Sequence, residues 1–360
     1  MPGIQLPPFP DDISTHPLLI VDYELIKASD AQEIDKLWKA ATGLGFWYLK
    51  NHGTDREVDN MFEMGEETMK LPQDERLKFY HKGIKSPGSF GYKTAGEYMT
   101  DQDGTPDTID YISIAKDDAL AYPGVIHRTY PVTVNAHMES TIIPFVRKSF
   151  EINNTILSVF EEKLGIVGGA LLKCHSAEDL SGSDARCIRA PAEPNREFGK
   201  DKVALSAHTD LGSLSFLHNR LGGLQVLPPG STGWQYVRPI PGHAICNIGD
   251  TLTILTGGIL HSNMHRVIPP PGAQGAYTRW SVVYFTRPGK DVRLRALAEE
   301  SAMIKDNIGR MSPKDRAKYD PNTTAGEWSA RRIKFLSTKN RTGPESWHAS
   351  RGMEYRPDAV

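Results

Sequence analysis

Between residues 205 and 285 the chain is a succession of short apolar runs divided by turn residues, and this most constrains its fold. The runs at 214–217, 224–227, 244–248 and 280–285 are short and mostly rich in strand formers. Gly222-Gly223, Pro228-Pro229-Gly230, Pro241-Gly242 and Gly249-Asp250 separate them, all of them turn chemistry. Short strands at regular intervals predict a sandwich or jelly roll.

On this frame lie Leu205-Ser-Ala-His208-Thr-Asp210 and, far along the chain, His265-Arg266-Val267. A His and an Asp at i and i+2 project from one face of a strand, and a second His from a distant strand can close a triangle with them. Two His and one carboxylate form the facial triad that suits non-haem Fe(II), with the opposite face left for substrates and oxygen. Beyond His265, Arg279-Trp280-Ser281 puts a cation and a hydroxyl on one strand face. A guanidinium fork matches a carboxylate bidentately, and Ser adds a donor. These residues predict an oxygen-activating iron site with a carboxylate clamp nearby.

The motifs resemble those of the Fe(II)/2-oxoglutarate-dependent oxygenases of the isopenicillin N synthase-like family. The matching stretches are His208-Thr-Asp210-x-Gly212-x-Leu214, Gly222-Gly-Leu-Gln-Val226, Gly233-Trp-Gln-Tyr-Val237, Asn247-Ile-Gly-Asp250, His265-Arg-Val267 and Arg279-x-Ser281. An amino-terminal block, Pro17-Leu-Leu-Ile-Val-Asp22 and Gly45-Phe-Trp-Tyr-Leu-Lys-Asn-His-Gly53 with Leu71-Pro72 and Gly91-Tyr92, resembles the family's leading domain. The resemblance implies a mainly β core, a double-stranded β-helix or jelly roll, with flanking α-helices from both terminal regions. It implies His208, Asp210 and His265 as Fe(II) ligands, Arg279 and Ser281 on the distal carboxylate of 2-oxoglutarate, and O2 as co-reactant. Its pocket walls point to Phe90, Tyr92, Tyr98, Leu205, Phe216 and Phe335 as substrate contacts. One departure stands out: where many relatives carry a Tyr-Pro pair, this chain reads Ala190-Pro191.

The outcome expected is hydroxylation, desaturation or rearrangement of a small organic molecule, by analogy in specialised (secondary) metabolism. Two rivals remain open. Relatives that retain Arg-x-Ser without using 2-oxoglutarate make a 2-oxoglutarate-independent oxidase the first, and the second is a binding protein that has lost the chemistry.

Other histidines and the flanking regions carry blander expectations. His261, four residues before His265, reads as pocket-lining or surface; His175, His218 and His243 read as solvated; His52 reads as stabilising a turn. Asp250 reads as turn punctuation before the next strand, Trp234 and Trp280 as core, and Arg266 as structural, pointing away from the metal face. The chain divides into an α/β region over 1–125, a buttressing helical segment over 126–180, the β core over 181–295, and a helical cover and tail over 296–360. Helices are predicted over 30–42 and 55–70, a strand over 46–49, and a loop-rich lid over 85–123. A helix over 133–164 with a kink at Pro144 follows, then helices over 297–308, from Ser312-Pro313, and over 324–336. The polar tail after Ser337 is expected to order only where it packs back.

A net charge of −2 offers no electrostatic footprint for nucleic acid, and no apolar run reaches membrane-spanning length. The first ten residues lack the basic and apolar regions of a secretion signal. Three cysteines without a disulfide framework fit a reducing, cytoplasmic compartment. Composition leaves the oligomeric state open.

Overall fold

The apolar runs assemble into two sheets in the computed structural model, which describes residues 6–81, 89–192, 203–340 and 342–353. The strands are β1 Ile20–Asp22, β2 Phe46–Lys50, β3 Gly91–Lys93, β4 Asp110–Ala115, β5 Asp184–Ala190 and β6 Leu205–His208. They continue as β7 Leu214–Asn219, β8 Leu224–Val226, β9 Gln235–Tyr236, β10 His243–Ile248, β11 His265–Val267 and β12 Arg279–Thr286. The larger sheet runs β1-β2-β10-β7-β12-β5-β4-β3 and the smaller β6-β11-β8-β9. Only the β1–β2 pair is parallel in these two sheets. One cavity is lined from both sheets, so they face each other as the double-stranded β-helix.

Amino-terminal strands complete the larger sheet at both edges, β1 and β2 beside β10, β3 and β4 beside β5. The segment over 85–123, expected as loop-rich, contributes two strands to this sheet. Residues 82–88 lie outside the description; β3, β4 and a short helix Lys116–Ala121 flank a loop over 94–109. Gly, Pro and Asp around 101–108 dominated the local pattern, whereas β4 pairs along its whole length with β5, far away in sequence, and along half of it with β3.

Helices α1 Ala31–Thr42 and α2 Asp55–Lys70 fall where periodicity puts them, and Asp30 caps α1 by accepting from the Glu33 amide. Helix α3, Ile143–Lys163, buttresses the larger sheet against β5, β7 and β12. Phe145, Val146, Ile152, Ile156, Leu157, Val159 and Phe160 on α3 are all buried, each stabilising by about 1.5–3 kcal/mol as an upper bound. Pro144, where a kink was expected, marks the point at which regular α-helix begins. It sits in the first turn, where a missing N–H costs nothing, and a wider π-helical turn, Met138–Ile142, precedes it.

After β10 the chain turns into α4, Asp250–Leu255, so Asp250 heads a helix rather than a strand. Helix α5 is Ala302–Gly309, starting later than periodicity suggested because Ser301 caps it by accepting from the Ile304 amide. Ser312 caps a single turn at Pro313–Arg316. Helix α6, Ala325–Leu336, begins with a capping box between Thr324 and Glu327. The polar tail forms α7, Pro344–Arg351, which packs on α6 and β6 and buries Trp347.

Two histidine expectations fail. His175 is buried, donating from Nδ1 to the Leu171 carbonyl at 2.8 Å, with Nε2 2.7 Å from the Ser213 hydroxyl. His218 lies inside β7, packed edge-on against Phe216 and His52. Turn residues nearby in sequence suggested solvent; tertiary packing removed it. His243 is half-buried at the head of β10. His52 does stabilise its turn, through Nδ1 and the Thr54 hydroxyl at 2.8 Å. Trp234 and Trp280 are half-buried against core clusters. Among the described residues no helix is long and apolar enough to cross a membrane.

Candidate metal centre

The antiparallel ladder between β6 and β11 sets His208 opposite His265. An extra residue on β6 between this pair and the next, Leu205 opposite Val267, makes a bulge that re-aims the ladder. Asp210 lies just beyond the end of β6, in the turn to β7, rather than on the strand. Its carboxylate nevertheless returns to the histidines: Oδ1 is 3.6 Å from His208 Nε2 and 3.7 Å from His265 Nε2. One atom from each of the three residues falls within 4.8 Å of the others.

Neighbouring groups aim these atoms. His208 Nδ1 donates to the Ser206 carbonyl at 2.7 Å, and His265 Nδ1 to the Asn263 carbonyl at 3.1 Å. A carbonyl can only accept, so each Nδ1 carries the proton and each Nε2 lone pair points inward. Asp210 Oδ2 accepts from the Ser215 hydroxyl at 2.5 Å and from the Asn247 amide at 2.7 Å, leaving Oδ1 for the centre. Burial alone would raise the Asp210 carboxyl, but His265, His208 and Asn247 outweigh it and hold it well below the usual carboxylate range. Burial first, and His208 second, push the His265 imidazole down to about 4. Two neutral nitrogens and one ionised oxygen fit a divalent first-row metal.

The turn holding Asp210 is pinned from outside. The Asp210 carbonyl accepts from the Asp250 amide at 2.7 Å. Thr209, between the two ligand candidates, donates its amide to the Arg351 carbonyl at 2.8 Å and accepts at its own carbonyl from Arg332 at 2.9 Å. Arg332 also reaches Asp250 Oδ2 at 2.5 Å, while the Ser262 hydroxyl donates to Oδ1 at 2.7 Å. Asp250 thus braces the site rather than punctuating a turn. Nothing in its local sequence announced this, because its partners come from α6 and the chain after α4.

A cavity of ≈ 80 Å³ adjoins the three ligand candidates. Ile188, Ala190, Leu205, Leu217, Leu224 and Val283 give it apolar walls, and Arg279 with Ser281 closes one end. Arg279 is buried; Nε donates to the Gly222 carbonyl at 2.7 Å and Nη1 to the Ser281 hydroxyl at 2.7 Å. No carboxylate pairs with it among the described residues, and burial lowers its guanidinium to about 10. Gly223, at φ +107°, lets the chain pass this side chain; a Cβ there would collide with the Ile268 carbonyl oxygen and fall 3.4 Å from Arg279 Nε. Ala190 stands opposite Arg279 in the β5–β12 ladder and lines the cavity.

Of the residues expected at the substrate, Leu205 lines this cavity and Tyr98 an adjoining one. The others do not. Phe216 is buried on the opposite face of β7 against His52 and His218, while Ser215 and Leu217 point inward, as a period of two requires. Tyr92 bonds Arg76 and Asp110, Phe90 packs on His127, and Phe335 on α6 is half-buried, whereas Leu336 lines the adjoining cavity. His261 is exposed, and Arg266 turns away to Gln225 and the face of Trp234. Sequence reasoning missed Ser215, Asn247 and Arg332; strand alternation could have flagged the first, since it shares its inward face of β7 with the cavity residue Leu217.

Comparison with known proteins agrees with this geometry. Residues 185–288 match the 2OG-Fe(II) oxygenase superfamily, and residues 18–131 match the N-terminal region described as that of a non-haem dioxygenase in morphine synthesis. The 2-oxoglutarate-dependent dioxygenase frbH of Dothideomycetidae sp. is 28% identical over 293 residues, spanning 79% of this chain and 86% of that protein. The 2-oxoglutarate-dependent dioxygenase iboH of Amanita muscaria is 34% identical over 146 residues, 40% of this chain and 69% of that protein. Among solved structures, a full-length Neurospora crassa protein in complex with alpha-KG superposes with a TM-score of 0.68 at 20% identity, covering 91% of this chain and 99% of that one. Two profiles, these relatives and a shared fold converge: the chain belongs to the 2-oxoglutarate- and Fe(II)-dependent oxygenase superfamily, as a 2-oxoglutarate-dependent dioxygenase.

Proposed function

We propose that His208, Asp210 and His265 hold Fe(II), that Arg279 with Ser281 receives the distal carboxylate of 2-oxoglutarate, and that the enzyme oxidises a small, largely apolar organic molecule. The observation that carries the cosubstrate assignment is Arg279, a buried guanidinium lacking a carboxylate partner among the described residues and placed on a cavity that also touches the three ligand candidates. Uncompensated buried charge is costly, and a bidentate carboxylate removes that cost. When bound, Fe(II) and 2-oxoglutarate supply oxygen activation coupled to oxidative decarboxylation to succinate and CO2. The protein's own share is orientation and exclusion of water: Asn247 and Ser215 hold the carboxylate, two carbonyls fix the imidazoles, and apolar walls keep the cavity dry.

Ala190 in place of the Tyr found in many relatives removes one donor, and Arg279 and Ser281 remain as the polar end of the cavity. The likeness to fungal dioxygenases supports a place in specialised metabolism, and three unpaired cysteines suit a reducing, cytoplasmic compartment. The test is anaerobic titration of the Fe(II) protein with 2-oxoglutarate, followed by the visible charge-transfer band of the chelate. A saturable band absent from Arg279→Ala supports the reading; no band despite bound iron would favour the 2-oxoglutarate-independent oxidase.

A further inference from the structure

The inward face of β12 carries Arg279, Ser281, Val283 and Phe285, and Arg287 follows in the same phase just past the strand. Arg279, Ser281 and Val283 line the first cavity. Arg287 lines a second, of ≈ 120 Å³, which also touches His208 and Asp210; Phe285 borders both. Two chambers therefore adjoin one pair of ligand candidates, and each contains a buried arginine from β12 or its immediate continuation.

The second chamber is cationic. Arg186, Arg332 and Arg351 line it with Arg287, and among the described residues Asp210 is the one carboxylate in the lining. Among the described residues, the one carboxylate in direct contact with Arg186 and Arg287 is buried Asp184, while the ligand candidate Asp210 attracts Arg287 from farther off. Asp184 Oδ2 contacts Arg186 Nη2 at 2.9 Å and Nε at 3.0 Å, and Asp184 Oδ1 lies 2.9 Å from Arg287 Nη1. Two guanidinium groups thus share one carboxylate. Asp250 is already matched to Arg332. The Nε–H groups of both Arg287 and Arg332 are buried with no acceptor.

An ion pair serving only to brace the barrel needs one arginine for one aspartate. A second cation in the same dry place is costly unless an anion joins it. Position adds to this. Arg186 is held between the rings of Tyr111 and Phe285, at 4.3 and 5.0 Å, so it cannot swing to solvent without losing both. The Arg287 stem lies on the turn that follows Asp210: a Cβ on Gly212 would fall 2.9 Å from its Cγ. Ile109, Ile188, Leu205 and Leu336 supply an apolar wall, and Tyr98 and Tyr111 an aromatic one.

We propose that this second chamber is the primary-substrate site and that the substrate is a small organic acid, its carboxylate received by Arg287 beside Arg186 and its hydrocarbon body held toward His208 and Asp210. The proposal rests on Arg279 being the 2-oxoglutarate end.

The test is calorimetric titration of the Fe(II) protein, saturated with 2-oxoglutarate and without oxygen. The probes are benzoate, phenylacetate and indole-3-acetate, each paired with its primary amide. At least one acid binds about tenfold or more tightly than its amide, as a charge-assisted pair requires. Arg287→Met, which leaves Asp184 and Arg186 as a balanced pair, reduces that acid to the level of its amide without altering the 2-oxoglutarate titration. Amides binding as well as acids, no acid binding, or acids that compete with 2-oxoglutarate for Arg279 would each overturn the proposal. The wild-type comparison of acid with amide stands even where the variant does not fold. Failure of the underlying reading looks different: wild-type protein would then take up no 2-oxoglutarate, and the same acid–amide comparison can still be made on it.

Discussion

His265 stands directly opposite His208 across the β6–β11 ladder, with ring centroids 4.3 Å apart. Backbone pairing sets that separation, so the imidazoles meet without any loop having to position them. Asp210 depends on side chains instead, because it lies beyond the strand and reaches the pair through Ser215 and Asn247. The three ligand candidates should therefore respond differently to changes around them.

His208→Ala and Asp210→Ala should each reduce succinate formation to background while leaving the thermal midpoint of the metal-free protein within a few degrees of wild type. Succinate formation coupled to substrate oxidation, undiminished in either variant, would remove that residue from the ligand set.

Asn247→Ala frees Asp210 Oδ2 on one side. Loss of such an orienting partner typically costs about 10–100-fold in metal affinity. Fe(II) titration should show that loss, and activity should return at high Fe(II), whereas a direct ligand variant should not recover.

Arg279→Ala should raise the 2-oxoglutarate concentration required by about tenfold or more, since a charge-assisted bidentate pair in a dry cavity exceeds about 1.4 kcal/mol. Arg279→Lys keeps the charge and loses the fork, so it should recover only part of the deficit. An unchanged requirement in Arg279→Ala means the carboxylate binds elsewhere.

Burial lowers the His175 imidazole from 6.5 to about 4. Between these values the unfolded chain binds a proton that the folded protein does not, so stability is full above pH 6.5 and falls as the pH drops toward 4. The loss from this one group is about 3 kcal/mol over that range. Urea denaturation of wild type and His175→Gln across pH 4–7 measures it: the variant should show the shallower slope, and equal slopes would exclude the histidine.

Arg332→Ala removes the guanidinium from buried Asp250 and from the Thr209 carbonyl. Breaking a buried pair on one side costs about 3–5 kcal/mol. Denaturation should report that loss, and Arg332→Ala combined with Asp250→Asn should be less destabilised than Arg332→Ala alone, because the orphaned charge is gone.

Local chemistry in the sequence determined the strands between residues 205 and 285, the caps and faces of the longer helices, and the candidate residues His208, Asp210, His265, Arg279 and Ser281. Their signals are short-range: alternation, turn residues and ligand types at fixed spacing. The remaining features depend on partners that come from elsewhere in the chain. Strand β4 formed in a stretch that reads as loop because β5 pairs along its whole length. His175 and His218 were buried by elements remote in sequence, and Asp250 became a brace because Arg332 and Ser262 converge on it. Phe216, expected at the substrate, faces away from the cavity and Ser215 faces into it, through a one-residue phase that the larger sheet fixes. The second chamber exists only because Arg186, Arg287 and Arg332 leave three separate elements and meet beside one cavity. Spacing along a chain encodes which residues can share a face; long-range packing decides which face is the inside.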